Sequence, residues 1–115
     1  MQLNQAEIVQ QNQHKYLVSG VIDFSTVPDL IQSASDFFKA YKKSVAANVN
    51  ANAETGITMD MSKITVCNSA GLALILEMVR QADDRNIELH FKNWPVTLLT
   101  IAKAYGVDDE IRDLV

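Results

Sequence analysis

Ile57-Thr-Met-Asp-Met-Ser-Lys-Ile-Thr-Val-Cys-Asn-Ser-Ala-Gly-Leu-Ala-Leu-Ile-Leu76 changes its hydrophobic period once, and that change decides the fold. Ile57, Met59 and Met61 alternate with Thr58 and Asp60, the period of a strand with one buried face, and Ile64 and Val66 continue the apolar approach. Beyond Gly71 the period becomes helical: Leu72, Ile75, Leu76 and Val79 form a stripe expected to pack on the sheet. The chain therefore turns from strand to helix at or just before Ser69. Asn68 and Ser69 are both candidate N-caps, because a short side-chain oxygen accepts a bond from a free N–H of the first turn. The positive end of the helix dipole also suits a hydroxyl or a phosphate. Ser69 thus has two readings: a cap worth about 1 kcal/mol, or a contact or phosphoacceptor on a binding surface. The helix starting near Ala70 is apolar nearly all round, with Leu74 and Met78 roughly opposite the stripe and flanked by Gln81 and Arg85. A small domain has little material for a second covering layer, so Leu74 and Met78 are expected to meet a partner, the alternative being a tightly folded-over helix. The candidate partner-binding or phosphoacceptor set is Asn68, Ser69, Ala70, Gly71, Leu74, Met78, Gln81 and Arg85.

Outward from that stretch, Ile8-Val9 suggests an edge strand running to about Asn12. Gln11-Asn-Gln-His14 suggests a turn with His14 exposed, and a second strand starts at Tyr16 and ends at Gly20. Ser25-Thr-Val-Pro-Asp29 opens a helix with a hydroxyl cap, a proline in the first turn and an acid at the positive end. Leu30, Ile31, Ala34, Phe37, Phe38 and Tyr41 give its apolar stripe, ending near Lys42-Lys43. Ala46 to Gly56 alternates Ala with Asn and is expected to be a frayed helix end and a mobile loop. Ile87, Leu89 and Phe91 alternate with Glu88, His90 and Lys92, a strand with one wet face, which places the helices on one side of the sheet. Trp94-Pro95 opens the next helix, with Leu98, Ile101, Ala102 and Tyr105 buried, Leu99 off the stripe and Gly106 ending it. Asp108-Asp-Glu110 with Ile111 and Leu114 reads as a short final helix. The expected fold class is α/β: one domain over 1–115, with a mainly parallel sheet of four to five strands and helices packed on one face.

Composition narrows the function. The 115 residues carry a formal net charge of -4 and a pI near 5.0, which argues against nucleic acid and against attachment to an anionic membrane. No signal peptide or bilayer-length apolar run is visible, so a cytoplasmic protein without direct membrane insertion is expected. The single Cys67 excludes an internal disulfide and is read as a small buried residue. His14 and His90 lie far apart without clustered Cys or carboxylates, so no metal site is expected. There is no glycine-rich phosphate loop, Asp60 and Glu77 are not paired at catalytic spacing, and no histidine lies near Ser69. A non-enzymatic protein without a cofactor follows.

Val66-Cys-Asn-Ser-Ala-Gly-Leu-Ala-Leu-Ile-Leu76 resembles the signature of STAS domains, the fold shared by bacterial anti-sigma factor antagonists and the cytoplasmic tails of sulfate transporters. The family pattern is an apolar strand end, Asp, Ser or Thr, a small residue, Gly and an apolar helix. With Ala before Gly and Leu-Ala after it, the motif is most similar to the small STAS subunit of Mla-type phospholipid-transport ABC complexes. Leu98-Leu-Thr-Ile-Ala-Lys-Ala-Tyr-Gly-Val107 resembles the same branch, and Tyr16-Leu-Val-Ser-Gly-Val-Ile-Asp-Phe24 resembles the family's second strand. The resemblance implies an accessory subunit that binds the cytoplasmic ATPase of a phospholipid-transport ABC complex, reaching the inner membrane through that partner. The alternative it implies is an anti-sigma factor antagonist whose partner kinase phosphorylates Ser69. One departure is plain: Asn68 stands where the family usually has Asp.

Overall fold

A computed structural model describes residues 5–47 and 56–112. The segment 48–55, where the frayed end and loop are expected, and Leu114 lie outside the described residues. Four strands, β1 (Ala6–Gln10), β2 (Lys15–Ile22), β3 (Ile57–Cys67) and β4 (Leu89–Lys92), form one sheet in that order. The β1–β2 hairpin is antiparallel, and β2–β3 and β3–β4 are parallel. Helices α1 (Val27–Ala47) and α2 (Ala70–Asp84) make the two crossovers, and α3 (Val96–Ala104) and α4 (Asp108–Arg112) follow β4. No helix among the described residues is long and apolar enough to cross a membrane.

Alternation fixes which sheet face is covered. Ile8, Tyr16, Val18, Ile22, Ile57, Met59, Met61, Leu89 and Phe91 are buried in one core with residues of all four helices. Lys15, Leu17, Ser19, Thr58, His90 and Lys92 alternate with them and remain partly exposed. The helices therefore cover one face. α1 supplies Val27, Leu30, Ala34 and Phe38 at helical spacing, each at most 7% exposed. It runs past the expected end at Lys42-Lys43 to Ala47. Its start is capped by Asp23, whose Oδ1 accepts from the N–H groups of Ser25 and Thr26, rather than by a hydroxyl of Ser25. His14 is not a free turn residue: its ring lies edge-on to Tyr41, and its Nδ1 is 2.9 Å from the Gly56 carbonyl oxygen.

β3 carries two irregularities that a strict period of two misses. Leu17 pairs with Asp60 but Ser19 with Lys63, and Gly20 pairs with Ile64 but Val21 with Val66, so β3 holds one extra residue at each shift. Each extra residue reverses the alternation. The inward series therefore runs Ile57, Met59, Met61, then Ile64, then Cys67, and Val66 is turned out, 58% exposed. The second shift brings Cys67 inward at the point where the chain enters α2. β2 likewise continues past Gly20 to Ile22, which pairs with Cys67.

Candidate functional site

The strand-to-helix turn divides its work between two residues. Asn68 is the side-chain cap: its Oδ1 accepts from the Ala70 N–H at 2.8 Å, and its carbonyl accepts from the Gly71 N–H at 2.9 Å. The Ser69 carbonyl accepts from the Leu72 N–H at 3.1 Å. Ser69 stands at the N-cap position in helical conformation and makes no side-chain capping bond. The residue is half-buried at the mouth of the helix. The Asn68 N–H donates to the Ile22 carbonyl at 3.2 Å, which pins the turn to the end of β2.

Gly71 is required by packing. A Cβ there would fall inside van der Waals contact of Cys67 Sγ and within 3.6 Å of Ile22 and Leu98. The first turn of α2 thus lies directly on the ends of β2 and β3, with Ala70 buried beside it. Burial pushes the Cys67 thiol pKa up, so the thiol stays protonated and serves as packing.

That contact sets the rotation of α2 and corrects the expected docking face. Leu74 and Met78 are 2% and 1% exposed, and with Ile75 they line an apolar space shared with Val18, Met61, Ile64, Cys67 and Leu98. They face the sheet, not a partner. Gln81 is buried too, and half-buried Arg85 donates from Nη1 to the Gln81 carbonyl at 3.1 Å. Conversely Leu76, expected on the sheet, is 43% exposed, and Val79 is only half-buried. The real inward stripe, Gly71, Leu74, Ile75, Met78 and Ala82, is rotated from the expected one by about one residue, roughly 100°.

The outward stripe opposite it is Ser69, Ala73, Leu76 and Arg80. Arg80 donates from Nε to Glu77 at 2.9 Å and from Nη1 to Asp84 at 2.9 Å. Bonds from Arg80 and Gln81 hold the Glu77 pKa at about 2. Two more apolar side chains are exposed where β2 and β3 end, Val66 on the open face of the sheet. Val66 precedes Cys67, and Phe24, 72% exposed, lies two residues beyond Ile22, which pairs with Cys67. The sequence signal that marks this wet face is the i, i+3, i+7 run of Glu77, Arg80 and Asp84 around Leu76. On α3, Leu98 and Ala102 are buried and Leu99 is exposed as expected, but Tyr105 is 65% exposed rather than buried. The chain turns away there at Gly106, which has positive φ.

The Ser69 turn and the outer stripe of α2 together present a hydroxyl, one exposed leucine and an ordered ion triad. A family model described as "Mlab, STAS domain" matches residues 10–115. No curated protein matches the chain. Among solved structures, the anti-sigma factor antagonist SpoIIAA in its unphosphorylated form superposes with a TM-score of 0.62 at 14% identity, covering 96% of this chain and 99% of that one. That likeness is one of fold. The chain, matched over nearly its whole length, belongs to the STAS family, in the branch that the Mlab model describes.

Proposed function

We propose that this STAS domain is a non-enzymatic accessory subunit that binds the cytoplasmic ATPase of a phospholipid-transport ABC complex and supports its assembly or activity. One observation carries the reading: the Ser69 hydroxyl is not spent on capping and heads an exposed stripe through Ala73 and Leu76 to Arg80. The Mlab description of the matching family model supports this choice of partner. Binding buries Leu76 against the ATPase, while the Glu77–Arg80–Asp84 triad, already ordered, costs little further side-chain entropy. The test is co-purification of the chain with that ATPase subunit. Leu76→Asp is expected to stay folded and lose the complex, and full retention of the complex overturns the reading.

A second reading, a switch set by phosphorylation of Ser69, is favoured by the same free hydroxyl. A phosphate there adds about -1.5 to -2 charge at the head of the outward stripe of α2. The Ala70, Gly71 and Leu72 N–H groups that would receive it are already bonded to Asn68 and Ser69. Incubation with a cognate anti-sigma factor kinase separates the two. A gain of about 80 Da that is absent in Ser69→Ala supports the switch, and an unchanged mass supports the transporter subunit.

A further inference from the structure

The open face of the sheet carries charges that docking through α2 does not use. Thr58 pairs with Lys15 on one side and His90 on the other, and Asp60 pairs with Leu17 and Lys92. Thr58 and Lys92 point outward because Met59 and Phe91, their neighbours in sequence, point into the core. Strands about 4.8 Å apart, with a rise of about 3.3 Å per residue, place Lys15 and Lys92 two strands across and two residues along from each other, within the combined reach of two lysine side chains. The nearest acid does not neutralise both. Asp60 Oδ1 accepts from the Asn93 side-chain amide and from the Ser62 N–H, each at 2.9 Å, and Lys92 Nζ stands 3.8 Å from Oδ2. His90 is engaged by Glu88 at 3.0 Å.

Lys15 and Lys92 therefore share the open face on either side of β3, where the Asp60 carboxylate is already held by Asn93 and Ser62. The Lys92 ammonium is the largest influence on Lys15 and lowers its pKa, and the Asp60 charge opposes this only in part. Like charges held together in the open are relieved by an anion between them. We propose that Lys15 and Lys92, with the Thr58 hydroxyl between their strands, form a binding site for an oxyanion of the phosphate or phosphate-ester class. Its donors are two mobile ammonium groups and one hydroxyl, matched to a tetrahedral anion rather than to a flat carboxylate. The site lies on the face opposite the helices, so it is independent of docking through Leu76.

Titration with inorganic phosphate, followed by NMR of the lysine side chains and matched in ionic strength with chloride, tests the proposal. In the free protein Lys15 is expected to titrate below the ordinary lysine value, and phosphate is expected to raise it selectively, with an apparent Kd roughly in the millimolar range. Lys15→Gln or Lys92→Gln should weaken binding about fivefold each, while Lys39→Gln on α1 leaves it unchanged. Backbone amide spectra of both variants confirm that the sheet is intact. Flotation with phosphatidylglycerol vesicles distinguishes the source. Flotation that requires both lysines assigns the anion to a lipid headgroup, and phosphate binding without flotation assigns it to a soluble ligand. Equal effects of phosphate and chloride, or shifts spread over all lysines, overturn the site.

Discussion

At the mouth of α2, Asn68 and Ser69 look interchangeable as caps in sequence, and the structure gives the bond to Asn68 alone. Asn68→Ala should cost about 1 kcal/mol in urea unfolding, and Ser69→Ala should stay within about 0.5 kcal/mol of the parent. Two equal losses would return Ser69 to a capping role. Gly71 is a second residue whose part is fixed by a neighbour. Gly71→Ala drives a methyl into Cys67 Sγ and should cost about 1–3 kcal/mol. In a Cys67→Ala background that penalty should fall below about 1 kcal/mol, a coupling read from a double-mutant cycle. Additive penalties would show that the thiol is not what excludes the side chain. The Gly71–Cys67 contact is not visible in a single sequence, because it depends on the β3 irregularities that turn Cys67 inward.

At the scale of the element, α2 shows why an apolar helix is hard to orient from its sequence. Leu72, Leu74, Ile75, Leu76, Met78 and Val79 offer two overlapping stripes, and periodicity does not choose between them. The choice is made by Gly71, which has to face the strand ends, and by Glu77, Arg80 and Asp84, which have to face water. The turn and the helix were legible. Which leucine faces outward was not. The consequence is measurable: Leu74→Ala should lose about 2–5 kcal/mol of stability, whereas Leu76→Ala should change it by no more than about 0.5 kcal/mol. A reversed order, read from urea midpoints of the two variants, would put the helix back in the orientation that its hydrophobic stripe alone suggests.

Over the whole molecule, the strand order and the crossovers follow from local signals, while the ties between elements do not. Asp60 reads in sequence as an ordinary wet-face residue, yet it is 8% exposed and binds Asn93, a residue of positive φ, just as the chain leaves β4 for α3. Burial pushes the Asp60 pKa up, but the bonds from Asn93 and Ser62 and the Lys92 charge outweigh burial and leave it below the ordinary carboxylate value. Its contribution is therefore complete above about pH 4 and drains away as pH falls through the lowered native value. Urea midpoints taken from neutral pH downward should fall more steeply for the parent than for Asp60→Asn, and parallel curves would remove Asp60 from the acid response. The molecule then presents two unlike faces, a helical one with the Ser69–Leu76 stripe and an open sheet face that carries Lys15 and Lys92. The most direct test of the docking claim is methyl NMR of the chain on addition of the ABC-complex ATPase subunit. The Leu76 methyls should shift and broaden at substoichiometric ATPase while those of Leu74 and Met78 hold their positions. A complex that forms with Leu76 unperturbed would contradict it.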